Sequence, residues 1–397
     1  MKRIDEIIDQ TTVIAKNEFA LGIYAGLRDQ SGNLFLSPYS ISSALAMAYA
    51  GARGETKRQM ASVLHLPADD ALTHRSFAEL NNALTGGRGD RDYQLSVANA
   101  LWGAKGVRFR TDFLETVDRA YGGRVAELDF KGAAEASRLT INQWVESQTQ
   151  RKIKDLLPAR AIDSYTLLVL TNAIYFKADW LARFDSKWTK ASEFELADPE
   201  IDPGRQNVRV PFMQGSGRFE YFQEPDLQVL EMQYRGGDLG MVVILPHRSH
   251  RLAALEESLT VEKLSTMFAG LSPQSVDVQI PKFKLTQGFD LGELLSEMGM
   301  PLAFSGGADF SGMLDGQDPL FLSMVMHRAY LDVDEKGTEA AAATAVLLGR
   351  GPQTRPVVFR ADHPFLFVIR HRRTGVILFI GRLVNPCEHN VVGEDYE

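Results

Sequence analysis

From Thr338 to Leu348, no charged residue occupies an alternate position: the series reads Thr338, Ala340, Ala342, Thr344, Val346 and Leu348. The residues between them begin with Glu339. Side chains of a strand point alternately to opposite faces, so this segment has one register that adds to a sheet without burying a charge. A shift of one residue would bury Glu339. Gly337, just before it, supplies backbone freedom where the chain must turn into that register. The same residues, an alanine run from Ala340 to Ala343 with Thr338 and Thr344 around it, also have high helix propensity. Read alone, the segment favours a surface helix, so the decision falls to the rest of the chain.

The chain has 397 residues, 45% hydrophobic and 24% charged, which is ordinary globular composition with material for a large core. No Pro-, Gly- or Ser-rich linker divides it, and no internal repeat stands out. A net charge of −8 argues against a nucleic-acid binder, since such proteins carry a basic face. The densest basic cluster, Arg370, His371, Arg372 and Arg373, reads as a solvated hairpin turn. Behind the basic start Met1-Lys2-Arg3 there is no apolar run, so the sequence predicts no secretory signal. Apolar runs stop well short of a membrane span, so no membrane partner is expected. Cys387 stands alone, which excludes an internal disulfide, and there is no Asn-x-Ser/Thr site. The expectation is a cytoplasmic protein, or an extracellular one whose signal has been trimmed.

Phe19, Ile23 and Leu27 recur at helical spacing. Ser37 suits a helix N-cap and Pro38 the first helical position. The turns that follow, including Ala44-Leu45-Ala46-Met47-Ala48, are apolar all round and predict a buried helix. Leu167 to Phe176 predicts a strand covered on both faces, and Val242 to Leu245, before Pro246, predicts another. Phe365 to Ile369 and Val376 to Ile380 predict a hairpin around Arg372-Arg373-Thr374-Gly375. Further helices are expected over roughly 139–156 and 290–299. Helices mixed with hairpins indicate an α+β fold.

Four separated segments then narrow the reading. They are Asn33-Leu34-Phe35-Leu36-Ser37-Pro38-Tyr39-Ser40-Ile41 with Gly51-Ala52-Arg53-Gly54-Glu55-Thr56; Leu170-Thr171-Asn172-Ala173-Ile174-Tyr175-Phe176-Lys177 with Trp180; Asp334-Glu335-Lys336-Gly337-Thr338-Glu339 with its alanine run; and Phe359-Arg360-Ala361-Asp362-His363-Pro364-Phe365-Leu366-Phe367. In order and spacing they resemble the serpin family of serine protease inhibitors. The resemblance covers about residues 14–387. It leaves 1–13 as an N-terminal tail and 388–397 as a C-terminal tail.

The resemblance implies a single domain with three β-sheets, eight or nine helices and an exposed reactive-centre loop at about 335–358. It implies an inhibitor that is a suicide substrate rather than an enzyme. A protease cuts the loop, and the loop inserts into the central sheet with the acyl-enzyme attached, a use of strand addition as a trap. The hinge of that loop would be Glu335, Lys336, Gly337, Thr338, Glu339, Ala340, Ala341, Ala342 and Ala343. Ser37, Ser40, Asn172 and His327 match the family's shutter, where central strands part. Trp180, Lys282 and Glu335 match its breach, where insertion begins. The family's usual spacing from Glu335 reaches Gly351, but Pro352 follows and blocks most serine proteases. One residue earlier, Arg350-Gly351 suits a trypsin-like enzyme; Leu348-Gly349 suits a chymotrypsin- or subtilisin-like one. No cofactor is implied, the expected state is a monomer, and the scattered Arg of residues 70–92 do not suggest glycosaminoglycan activation.

Rival readings remain. A non-inhibitory serpin would act as chaperone, carrier or decoy, although its hinge would tend to carry bulky, charged or proline residues. A hydrolase would use Ser37 or Ser40 with His327, but no third orienting residue is apparent. His247 and His250 lack companion metal ligands. Gly86-Gly87-Arg88-Gly89 lacks the Lys-Ser/Thr of a phosphate loop.

Overall fold

The computed structural model describes residues 10–84, 92–196, 207–316, 319–338 and 355–388. Among the described residues there are nine α-helices: α1 (Gln10–Leu27), α2 (Pro38–Gly51), α3 (Gly54–Val63), α4 (Asp70–Leu84), α5 (Thr111–Tyr121), α6 (Ala134–Gln148), α7 (Leu252–Glu257), α8 (Val261–Gly270) and α9 (Gly292–Glu297). The strands are β1 (Leu34–Leu36), β2 (Tyr93–Ala104), β3 (Arg124–Leu128), β4 (Leu168–Asp179), β5 (Lys190–Phe194), β6 (Val208–Glu224), β7 (Leu227–Gln233), β8 (Leu239–Pro246), β9 (Ser272–Pro281), β10 (Phe283–Asp290), β11 (Leu322–Val333), β12 (Gly337–Thr338), β13 (Val357–Arg360), β14 (Phe365–His371) and β15 (Ile377–Leu383). The fold class is α+β, as the sequence predicts.

The strands form two hydrogen-bonded sheets among the described residues. One runs β10-β11-β4-β2-β3, with β12 added beside β4; the other runs β1-β15-β14-β8-β7-β6-β9-β13, with β5 beside β6. Two of the three expected sheets are therefore continuous. The 17-residue strand β6 pairs with β9 and β5 along its first part and with β7 at its end, which joins them.

Between the sheets lies α2. Ser37 caps it by accepting from the Ser40 amide, and Pro38 opens it. Ile41, Leu45 and Met47 are all but fully buried, which explains an apolar helix with no polar face. Strand β4 is covered on both sides as well. Ile174, Phe176 and Ala178 join the core between the sheets. Val169, Ala173 and Tyr175 pack outward against Ile141 and Val145 of α6 and against Ile153, Leu156 and Leu157 beyond it. The helix expected over 139–156 stops at Gln148, because Gln150 and Arg151 take left-handed backbone with φ of 53° and 58°. The chain then crosses the outer face of the sheet, held by Asn142, which bonds both the amide and carbonyl of Leu157 at 2.9 Å.

Arg370 and His371 correct the expectation of a solvated basic turn. Both are buried, on strand β14 and not in the turn beyond it. Arg370 forks onto Glu231 with bonds of 2.9 and 3.1 Å, and Arg372 adds a third at 3.2 Å. The Arg370 guanidinium also lies 4.1 Å from the Phe268 ring centre. The isolated sequence run hides this because the partner carboxylate is 139 residues away. Removing one partner of a buried pair leaves an uncompensated charge, which costs about 3–5 kcal/mol. Glu231→Ala is expected to lower the melting temperature of the uncut protein, and the double variant Glu231→Met, Arg370→Met to recover much of the loss. An unchanged melting temperature in the single variant would show that water already compensates Arg370.

Candidate functional site: the seam between β4 and β11

In the six-stranded sheet, β11 and β4 are parallel and bonded directly, with Met324 opposite Val169 and Tyr330 opposite Tyr175. Their outer neighbours, β10 and β2, run antiparallel to them. The seam is thus a parallel pairing, slightly weaker per residue than an antiparallel one.

A buried polar cluster sits on its inner face. His327 of β11 lies opposite Asn172 of β4. The Ser37 amide donates to His327 Nε2 at 3.2 Å, so the ring proton is on Nδ1, which donates to Asn172 Oδ1 at 2.5 Å. The Asn172 amide donates to the Ser40 carbonyl at 3.1 Å, to the Ser40 hydroxyl and to Asn99 Oδ1. Ser37 Oγ donates to the Leu378 carbonyl at 2.7 Å. Every link is neutral and satisfied, the condition for burying polar groups cheaply. Burial holds the His327 imidazole at about 3, far below its ordinary value. The cluster does not assemble a serine nucleophile. The Ser37 hydroxyl is spent on a carbonyl, and both serines are fully buried.

At the top of the seam β11 ends in a tight turn. Asp334 and Gly337 exchange backbone bonds of 2.9 and 3.1 Å, and Asp334 Oδ1 accepts from the Lys336 amide. The chain reverses as β12, antiparallel to β4, with Gly337 opposite Asp179 and Thr338 opposite Ala178. Gly337 has φ +131°, and a Cβ there would lie 2.2 Å from the Ala178 carbonyl oxygen and 2.5 Å from the Trp180 nitrogen. Steric approach, beyond mobility, demands glycine. Lys282 Nζ lies 2.7 Å from Glu335 Oε2, and the Thr189 hydroxyl donates to Glu335 Oε1 at 2.7 Å. Burial alone would raise the Glu335 carboxyl; these two donors outweigh it and hold it below its ordinary value. Trp180 gives its indole N–H to the Asp334 carbonyl at 2.9 Å and its amide to Lys336 at 2.9 Å, and stacks on Tyr234 at 4.5 Å.

The structure thus brings Ser37, Ser40, Asn172 and His327 together, and Trp180, Lys282 and Glu335 together. Glu339, Ala340, Ala341, Ala342, Ala343, Leu348, Gly349, Arg350 and Gly351 lie outside the described residues. Three partners have no place in the sequence reading. Asn99 had a signal, a lone amide in the apolar run Val97-Ala98-Asn99-Ala100-Leu101. Thr189 and Tyr234 had none, because only tertiary packing sets them there.

Comparison with known proteins agrees with this architecture. A profile of the serpin family, described as serine protease inhibitor, matches residues 14–386. The chain belongs to the serpin family. This serpin is 40% identical to an uncharacterized serpin-like protein of Thermococcus kodakarensis, over 95% of this chain and 86% of that one. It is 40% identical to the leukocyte elastase inhibitor of Sus scrofa, over 94% of this chain and 98% of that one. Human thyroxine-binding globulin, solved in complex with thyroxine, superposes with a TM-score of 0.85 at 30% identity, covering 95% of this chain and 98% of that one. No described helix of this serpin is long and apolar enough to cross a membrane.

The His327 environment fixes a pH dependence. The unfolded chain binds the His327 proton near pH 6.5 and the folded one only near 3. The stability contributed by the neutral ring is complete above about 6.5. It is lost as pH falls toward 3, by up to about 1.4 kcal/mol per pH unit. His327→Gln should remove that part of the acid sensitivity, seen as a flatter melting temperature between pH 6.5 and 4.5. Parallel profiles would place the sensitivity elsewhere. At the top of the seam, Glu335→Lys sets two cations together against Lys282. The variant is expected to polymerise on mild heating, followed by size-exclusion chromatography. Wild-type behaviour would dismiss a gating role for the pair.

Proposed function

We propose that this serpin inhibits a serine-type endopeptidase as a suicide substrate, by inserting its cut loop between β4 and β11. The observation that carries this reading is the register of β12. Were it continued down β4 on insertion, it would set Ala340 against Phe176, Ala342 against Ile174, Thr344 against Asn172, Val346 against Leu170 and Leu348 against Leu168. Residues directly opposed in an antiparallel pair share a face. The apolar members of the set would then meet the core between the sheets, and Thr344 would fall level with the polar cluster of Asn172 and His327. On the other face Glu339 would meet the half-buried Lys177, while Ala341 and Ala343 would meet Tyr175 and Ala173 beneath α6. Both parities of the loop match what covers the sheet, which explains why the run is alanine on both.

In this reading the turn at Asp334 to Gly337 is the hinge. Glu335, Lys282 and Trp180 form the breach, and Ser37, Ser40, Asn172 and His327 the shutter. Parting the seam exchanges bonds in a small polar network rather than tearing apolar packing. The new strand replaces one parallel pairing by two antiparallel ones. Arg350-Gly351 is the proposed scissile bond, which selects a trypsin-like protease; Leu348-Gly349 would select a chymotrypsin- or subtilisin-like one. The likeness to thyroxine-binding globulin favours the second reading, a carrier, and the same experiment separates the two.

Thr338→Arg tests the proposal. Thr338 is paired with Ala178, whose side chain is in the core, so arginine there must bury a charge at the first step of insertion. Insertion competes with deacylation. Slowing insertion by about 3 kcal/mol shifts that partition by roughly a hundredfold. The variant should still be cut but should consume many more molecules per enzyme inactivated, counted by titrating trypsin. A carrier would show no covalent complex with either protein. A variant that stays near-stoichiometric would mean that Thr338 does not enter the sheet.

A further inference from the structure

Strand β13 lies at the end of the order β14-β8-β7-β6-β9-β13 and, among the described residues, pairs only with β9. Residues 361–364 then carry the chain straight to β14, although four strands stand between the two in that order. From Arg360 to Phe365 the chain can reach roughly 17 Å. Five strand spacings in a flat sheet would need about 24 Å. The sheet therefore turns back on itself, and this short link closes it. How the link is fastened decides how firmly β13 is held.

Two backbone bonds fasten it. The Ala361 amide donates to the Gln279 carbonyl of β9 at 2.9 Å, and the Asp362 carbonyl accepts from the Glu195 amide, just beyond β5, at 2.8 Å. The His363 ring adds a side-chain fastening. Its Nε2 lies 2.6 Å from the carbonyl oxygen of Pro246, the last residue of β8, and its Nδ1 lies 3.0 Å from Asp362 Oδ1. A carbonyl and a carboxylate only accept. A neutral imidazole has a single N–H and serves one of them, while its other nitrogen sets a lone pair against an oxygen. Both contacts are hydrogen bonds only when the ring carries two protons.

The surrounding charges suit that state. Asp362 has its other oxygen 2.9 Å from Arg360 Nε on β13. Glu195, whose Oε1 accepts from the Ser249 hydroxyl at 2.6 Å, adds a second negative charge near the ring. From β8 comes the Pro246 carbonyl, and the turn after it carries His247, Arg248 and His250. Burial alone would lower the ring's hold on its second proton; Asp362, the Pro246 carbonyl and Glu195 outweigh it and hold the ring above its ordinary value of 6.5.

We propose that the doubly protonated His363 ring is a proton-operated clasp, which fastens the link between β13 and β14 to β8 and loosens it when one proton leaves. Loss of either proton turns one of the two bonds into a contact between lone pairs. The strand whose hold then changes is β13, at the edge of its sheet. The proposal does not depend on the inhibitory reading. Its sign is opposite to that of His327. A ring whose value is raised by folding stabilises the fold fully below about 6.5, and that contribution is lost as pH rises through the folded value.

Two measurements on the full-length, uncut protein test this. In the NMR spectrum of ring-labelled histidine, the His363 signal, assigned by its absence in His363→Gln, should titrate above 6.5. Amide hydrogen exchange over residues 357–364, corrected for the intrinsic pH dependence of exchange, should show protection that falls several-fold between pH 6 and pH 9. In His363→Gln protection should be low and flat over the same range, because the Gln donors sit on one nitrogen and cannot serve acceptors on two sides. If none of the eight histidine signals titrates above 6.5, the clasp is overturned without recourse to the variant. A His363 ring that titrates high while wild-type protection stays flat would show that the second proton does not hold the link, which overturns it as well. The same fall in His363→Gln as in wild type would assign the pH dependence to another group, such as His247 or His250, and the proposal fails.

Discussion

The parallel pairing of β4 with β11 is the constraint on which the rest of the molecule depends. A parallel pair needs a long connection between its strands, and here β5 to β10 intervene between them. The two strands are thus held by different parts of the chain, β4 against β2 and β11 against β10. Their common edge parts without separating β4 from β2 or β11 from β10. It is also the place to which the chain itself returns, since β11 ends in a reversal that lays β12 against β4. The structure holds a parallel pairing and the start of a further antiparallel strand side by side.

The surroundings of the seam are graded. At its top, charge and an aromatic stack hold the turn: Lys282 and Thr189 on Glu335, and Trp180 on Tyr234. In the middle, neutral hydrogen bonds link α2 to both strands through Ser37, Ser40, Asn172 and His327. At the bottom, carboxylates and aromatic rings frame a cavity. Over the outer face, α6 and the chain after it cover Val169, Ala173 and Tyr175. Any strand added at the seam must displace that cover as well as separate β4 from β11. A loop with small side chains on both faces meets that demand, where simple alternation would serve only a sheet with one buried side.

Much of this was legible in the sequence, for identifiable reasons. The all-round apolar turns of α2 and the Ser37-Pro38 cap are local signals, and both elements formed where those signals lie. The double burial of β4 followed from apolar residues at both parities on either side of Thr171 and Asn172. What the sequence hides is set by distance along the chain. Arg370 belongs to a basic run, and only the fold supplies Glu231 as its partner. The helix over 139–156 ends early because Gln150 and Arg151 turn left-handed, which no composition rule marks. Two of the three expected sheets merge because β6 is long enough to serve both, a property of its path rather than of any residue in it. The sequence marks Gly337 as a place of backbone freedom, but the carbonyl that forbids a Cβ there comes from β4.

The position of the last hairpin bears on how the molecule is made. β14 and β15 lie inside the larger sheet, between β8 on one side and β1 on the other. Leu34 to Leu36 find their partners only in Ile380 to Arg382. A chain emerging from a ribosome therefore holds β1 without this partner until residues 380–382 are made. Such non-local closure is slow, because loop entropy must be overcome before the contacts reward it. The residues of the seam and the loop beyond it are all synthesised before β14. The order of the sheet thus leaves the pairing of β1, and with it the closing of that end of the core, to a strand made long after the seam.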